Sequence, residues 1–384
     1  MGPGDRRLRF DRSEWSGAFG DLGTDLPLLV GMILASGLNA SSVFTVFGLM
    51  QIATALRYRM PMPVQPLKAM AAIVIAQKLP PEILFGGGLA IGVCMLVLTA
   101  TGLLDWINRA VPKPVVRGIQ CGLGLQLAGI ALRDYVPAGG ATGWWLAGAG
   151  FFLTLVLIGR KRIPSAAILV ALGAIYALVF KLDASSLVGA AGLHLPEWRL
   201  PAAADVWTGF LILALPQIPL SIANSVLATR QLTEDLFPDR PLSARKIGWT
   251  YAAMNLVNPF LSGVPTCHGS GGMAGHYAFG GRTGGSVVIY GSLFLVLGVV
   301  FGPGSQIVIQ VFPLPVLGVL LLFEALTLVA LLRDLSPRGT DFAVAILVGL
   351  IASSVPYGYL VGLGVGVICM HLFRRGLTRV GDHE

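Results

Sequence analysis

Apolar runs close to the length of a bilayer span follow one another from residue 14 to residue 374, joined by short polar connections. The pattern predicts fourteen membrane segments, several of them short: 16–37, 41–58, 64–77, 82–104, 115–132, 144–159, 163–181, 206–229, 245–262, 266–278, 285–303, 306–333, 341–355 and 357–373. The third opens on Met60-Pro61-Met62-Pro63-Val64-Gln65-Pro66. Proline lacks an N–H and holds its predecessor extended, so no helix runs through this stretch. Non-helical backbone at membrane depth is tolerated only where protein buries it or where it lines a polar cavity. From Pro66, a favoured first helical position, a half-helix is expected. Its N-terminal amides attract anions, and Lys68 in the first turn leans back toward the same place. The alternative is an ordinary interhelical loop with a snorkelling lysine. The tenth segment opens in the same way, on Val264-Pro265-Thr266-Cys267-His268-Gly269-Ser270-Gly271-Gly272.

Charge fixes an orientation for this pattern. With the N-terminus inside and the segments alternating, inner loops hold 22 of the 27 Lys and Arg residues. They include Arg6, Arg7, Arg9 and Arg12; Arg109, Lys113 and Arg117; Arg160, Lys161 and Arg162; and Arg374, Arg375 and Arg379. Lys78, Arg133, Lys181 and Arg199 fall outside, and Lys68 falls in the membrane. Both termini are therefore expected in the cytoplasm, in a cytoplasmic (inner) membrane. The basic start resembles a signal peptide, but Asp21, Asp25 and Pro27 interrupt the run, so a retained first helix is expected. The chain divides into 1–13, a first repeat 14–182, an external connection 183–205, a second repeat 206–374 and a tail 375–384. Seven segments is an odd number, so the second repeat enters inverted. Two short, Gly/Pro-interrupted segments at matching places are the best sequence pointer to a substrate site.

Composition agrees: 55% of residues are hydrophobic and 12% charged, about half the charged share of a soluble domain. The net charge of +8 follows from loop placement and does not call for nucleic acid. The four cysteines have no metal spacing, and no nucleotide motif is present, so neither metal nor cofactor is expected. No nucleophile constellation suggests an enzyme.

Polar residues in the spans carry the chemistry. Thr24 lies toward mid-membrane with Asp25, while Asp21 serves either as a helix cap or as a functional acid. Pro216 and Pro219 are expected to break the eighth segment as prolines break the third; Gln217 between them either donates to an anion or ties helices together. Gly269, Ser270 and Gly271 offer backbone N–H groups to a ligand; Cys267 and His268 precede them, and His268 has no partner at metal-ligand spacing. Glu324 is a proton site or a buried structural acid; Asp21 and Asp25 are the other proton-coupling candidates. Asn255 and Asn258 read as structural.

Gly-Asp-Leu-Gly-Thr (20–24), Pro-Met-Pro-Val-Gln-Pro-Leu-Lys-Ala (61–69) and Pro-Thr-Cys-His-Gly-Ser-Gly-Gly-Met-Ala-Gly-His-Tyr (265–277) resemble the MOT1-type molybdate transporters, relatives of the SulP/SLC26 sulfate permeases. The resemblance implies an all-α, 7+7 inverted-repeat membrane fold of SLC26/UraA type. A core domain (14–104 plus 206–303) would move against a gate domain (115–182 plus 306–374). The anion would sit between the third and tenth half-helices, at Thr24, Gln65, Lys68, Gln217, Cys267, His268, Gly269, Ser270 and Gly271. About ten residues follow Phe373 where SulP proteins carry a STAS domain, as in the MOT1 branch. The expected function is alternating-access transport of a tetrahedral oxyanion, molybdate first and sulfate second, with proton coupling and a homodimer through the gate domain as open additions. The alternative is a nucleobase or other organic anion–proton symporter of the same fold, which would want a carboxylate in the eighth or tenth segment.

Overall fold

The computed structural model describes residues 7–104, 106, 111–157, 165–181, 192–337 and 339–374. Several expectations lie outside them: the inner charges Arg6, Arg109, Arg160, Lys161, Arg162, Arg338, Arg375 and Arg379, residues 183–191 of the external connection, and the tail 375–384.

In the first half the helices are α1 (Arg12–Ala18), α2 (Leu22–Ser36), α3 (Ala40–Tyr58), α4 (Lys68–Gln77), α5 (Pro81–Thr101), α6 (Lys113–Tyr135), α7 (Ala141–Leu157) and α8 (Ser165–Phe180). In the second they are α9 (Ala203–Leu236), α10 (Ala244–Val257), α11 (Ser270–Ala278), α12 (Gly285–Val299), α13 (Gly302–Val311), α14 (Leu314–Ala330), α15 (Thr340–Ser354) and α16 (Gly358–Arg374). Among the described residues five helices are long and apolar enough to cross a membrane, or up to seven when each of two bent pairs is one span, and shorter apolar helices accompany them.

Three boundaries differ from expectation. The first segment is two helices meeting at 41°. The eighth is not broken by Pro216 and Pro219: α9 runs unbroken because π-helical stretches, Phe210–Ala214 and Ser221–Leu227, flank the prolines. Such widened turns shift the hydrogen-bond register around residues that lack an N–H. The twelfth begins at Leu314, not at 306; α13 belongs with α12, to which it is bent by 106°, and Phe312-Pro313 closes it.

The two broken segments meet at the centre. Arg59 in the left-handed region (φ 55°) ends α3, and the prolines hold the chain extended into β1 (Val64–Pro66). Pro66 therefore lies in the strand, and α4 starts at Lys68. β1 pairs antiparallel with β2 (Thr266–His268), with Gln65 opposite Cys267.

Matching side chains prop the two strands. Gln51 donates to the Val64 carbonyl at 2.7 Å and accepts from its N–H at 2.8 Å; Thr54, one turn on, donates to the Met62 carbonyl. In the second half Asn255 donates to the Thr266 carbonyl at 2.6 Å and accepts from its N–H at 2.9 Å; Asn258, one turn on, donates to Val264. Asn255 and Asn258 are structural, as read from sequence. Antiparallel strands with equivalent props are what two inverted copies of one unit give.

Around this centre α3 packs along α12, and α5 packs on α9 and α10; separately, α6 packs on α14 and α15. Small residues permit the close approach. A Cβ on Gly118 of α6 would fall 2.6 Å from the Ala345 carbonyl of α15, and one on Gly122 equally close to Ala352.

Candidate functional site

Because β1 and β2 run antiparallel, α4 and α11 start beside each other and run apart. A helix N-terminus carries unsatisfied N–H groups and about half a unit of positive charge, so two such ends converge here. A cavity of about 290 Å³ lies against them, lined by Gln65, Lys68, Gln217, Cys267, His268, Gly269, Ser270 and Gly271, and on its other sides by Arg117 and Gln120 of α6 and Thr327 of α14. Eight of the nine expected anion-site residues are thus brought together. Thr24 is the exception.

Lys68 is held in an ion pair that the sequence did not point to. Its Nζ bonds Glu324 Oε1 at 2.5 Å, and Asp21 and Asp25 are engaged elsewhere. Thr24 donates to the other oxygen of Glu324 at 3.1 Å, which places it behind the acid and away from the cavity wall. Glu324 is buried, and its pairing with Lys68 links the half-helix to α14. An uncompensated charge at either position would be costly, so each secures the other.

Gln217 is a cap, not a donor to the cavity. Its carbonyl accepts from the Ala69 and Met70 N–H groups at 3.0 and 3.3 Å. Its amide nitrogen donates to Ser221, which bonds Tyr251. The oxygen of Gln217 thus fills the place an anion would take at the start of α4.

The start of α11 is different. Gly269 and Ser270 begin the helix with no side-chain cap. Among the described residues no acceptor reaches the amides of Ser270, Gly271 and Gly272. A Cβ on Gly271 would meet nothing within 4 Å. A Cβ on Gly269 would strike the Gln65 side chain at 2.1 Å, so that glycine lets the two breaks approach.

His268 reaches the cavity edge but turns its ring into the protein. Its ring is fully buried, Nε2 meets Thr250 Oγ1 at 2.6 Å, and Tyr58 packs edge-on against it. The role expected of His268 as an anion donor is replaced by a structural one. Cys267 is 5% exposed and its thiol meets Ser225. Asp21 makes no capping bond; its Oδ1 accepts from Gln65 at 2.6 Å. Asp25 accepts from Tyr290 at 3.0 Å. Each keeps, among the described residues, one buried oxygen without a partner. Among the described residues no three His, Cys, Asp or Glu side chains gather as a metal site.

Sequence reading missed Arg117, Gln120, Ser225 and Thr327. Arg117 had been placed in an inner loop, yet it lies within α6. The available signal was its spacing of three from Gln120 on a mostly apolar helix.

A family model described as "Molybdate transporter of MFS superfamily" matches residues 13–127 and 209–328. Molybdate transporter 2 of Arabidopsis thaliana is 34% identical, over 96% of this chain and 89% of its own. The chain belongs to the molybdate transporter family. Another relative, molybdate transporter 1 of Chlamydomonas reinhardtii, is 29% identical over 92% of the chain and 90% of its own. The fold resembles murine solute carrier 26 family member A9 in the inward-facing state, with TM-score 0.73, 14% identity and coverage of 96% of this chain and 69% of that one. It also resembles the transmembrane domain of the cyanobacterial bicarbonate transporter BicA, with TM-score 0.66, 18% identity and coverage of 91% and 98%. The family's description names the MFS superfamily, whose halves each hold six spans built from three-plus-three repeats. The crossed half-helices of this family member place it with the solute carrier 26 fold instead.

Proposed function

We propose that this multi-pass membrane protein moves a tetrahedral oxyanion across the cytoplasmic membrane, molybdate in preference and sulfate second. The observation that carries this reading is the uncapped, glycine-lined start of α11 facing Lys68 across one cavity, in a chain of the molybdate transporter family. Once Lys68 is freed from Glu324, its ammonium and the open terminus of α11 together supply about one and a half positive charges. The cavity borders both packing groups, α4, α9 and α11 on one side and α6 and α14 on the other. That position supports alternating access, with residues 14–104 and 206–303 moving as a core against a gate of 115–182 and 306–374. Both termini lie in the cytoplasm in this reading, and a homodimer would form through the gate.

The Lys68–Glu324 pair joins core to gate and is the contact that substrate must rearrange. An incoming dianion competes with Glu324 for Lys68, and a proton taken up by Glu324 removes the competitor. One proton would then travel with each anion, with Thr24 holding the acid in place. Uptake of labelled molybdate into proteoliposomes, with sulfate as competitor and an imposed proton gradient, tests the whole reading. Molybdate should accumulate faster when the outside is acid, and sulfate should compete. Uptake of neither ion would overturn the function; uptake indifferent to the gradient would overturn the coupling alone.

A further inference from the structure

The cavity wall formed by α6 carries donors that neither the packing nor the site above uses. Arg117 and Gln120 lie three residues apart on one face of the helix, and both line the cavity. Arg117 Nη1 donates to Gln120 Oε1 at 2.9 Å, and Nη2 pairs with Asp334 at the end of α14. Arg117 Nε and Gln120 Nε2 are left over, buried with no acceptor among the described residues. Gln120 is 0% exposed. Buried donors are nearly always satisfied, so two together beside a cavity mark a missing acceptor.

The charges at this end have the same arrangement as those deep in the site. Glu324 on α14 holds Lys68, and Asp334, which follows the same helix, holds Arg117. Ten residues of helix put the two acids roughly 15 Å apart. Lys113 also stands 4.0 Å from Asp334, so two cations share one carboxylate there. An anion leaving Lys68 along α14 meets a second cation already paired with an exchangeable acid.

We propose that Arg117 and Gln120 form a second oxyanion subsite, at the end of the cavity where α6 begins, which receives the anion between the Lys68 site and the adjoining solution. It rests on the transport reading above. The guanidinium gives up Asp334 to bind two oxygens of the ion in its fork, and the Gln120 amide donates to a third. The competing explanation is structural: Gln120 merely accepts from Arg117 to steady the Arg117–Asp334 pair.

Gln120→Glu separates the two. It keeps the acceptor for Arg117 but replaces the donor facing the anion with a negative oxygen. In proteoliposomes of known orientation, labelled molybdate transport would be measured from each face. For Gln120→Glu the KM at the face where α6 begins should rise at least tenfold, with the opposite KM within about twofold and the Tm unchanged. Gln120→Leu should show a smaller rise at the same face. Parent-like KM values at both faces, or an equal rise at both, would overturn the subsite. Should Gln120→Glu not fold, Arg117→Lys carries the same expectation, since it keeps the charge for Asp334 and loses the fork. If the unsubstituted protein moves neither molybdate nor sulfate, the transport reading itself falls; if it moves them and the variants match it, only the subsite does.

Discussion

At the start of α4 the Ala69 and Met70 amides are taken by the Gln217 carbonyl and Lys68 is taken by Glu324. At the start of α11 the Gln65 amide and the Asp21 carboxylate lie close to Gly269 and Gly272, but among the described residues none bonds the Ser270 and Gly271 amides. The two half-helices come from equivalent places, pair through equivalent strands and are propped by equivalent amide side chains, Gln51 and Asn255. They differ in what faces their N-terminal amides. One end is closed by the protein's own oxygen atoms, and in the proposed transport reading the other receives the ligand. An inverted repeat supplies two anion-attracting termini at once. Occupying one internally limits the site to a single ion and leaves the protein a contact to break when that ion arrives. The α11 end is then the fixed part of the site, and the Lys68–Glu324 pair is the part that changes.

The largest effect should follow from removing the cation. Lys68→Ala deletes the charged contact to the anion and strands Glu324 as a buried, unpaired acid. Loss of such a contact commonly costs 2–5 kcal/mol, or about 30- to 4000-fold in affinity. Stability should fall with it. Adding Glu324→Gln removes the stranded charge, so the double variant should regain most of its Tm while molybdate binding stays weak. Calorimetry and melting curves on the same preparations read both quantities. Recovery of affinity together with Tm would mean that Lys68 serves only Glu324, and the comparison would lose its movable half.

A second substitution probes the open end. Gly271 lies in the first turn of α11, and among the described residues no atom outside its own stretch of helix stands within 4 Å of where its Cβ would be. Alanine there should leave the Tm unchanged or slightly higher, since it favours helix and restricts the unfolded chain. The methyl group enters the space assigned to the ion, so transport should drop about tenfold or more, and Gly271→Val further still. A variant that is stable and fully active would place the ion elsewhere.

Much of this frame was legible in the sequence because backbone chemistry wrote it there. Prolines at Pro61, Pro63 and Pro66 and glycines at Gly269, Gly271 and Gly272 allow few conformations, and ionisable groups in apolar runs stand out. What stayed hidden depends on distant partners. Lys68 and Glu324 are 256 positions apart, and no local pattern announces their pairing. Gln217 looks the same in sequence whether its oxygen or its nitrogen faces the site. His268 sits in a ligand-like string, but a strand turns alternate side chains to opposite faces, and its turn fell toward Thr250. The break before α14 was missed because apolar residues on both sides of Phe312-Pro313 read as one run. Pro216 and Pro219 read as a helix break, but π turns on either side accommodate them.

The smallest expected effect concerns Gln217, and it tests the asymmetry most directly. Gln217→Ala opens the Ala69 and Met70 amides and makes the start of α4 resemble the start of α11. Losing a helix cap costs about 1 kcal/mol, which in a chain of this size lowers Tm by roughly 2 °C. Ser221 keeps Tyr251 as a partner, so the damage should remain local. Anion affinity should change by less than threefold, because the freed amides add donors while the order of α4 decreases. Gln217→Glu should do the reverse: a carboxylate still caps the two amides, Tm holds, and the added negative charge weakens molybdate binding about tenfold. If Gln217→Ala instead abolishes binding as thoroughly as Lys68→Ala, then Gln217 contacts the ion. The α4 end would in that case be the ligand's and not the protein's own.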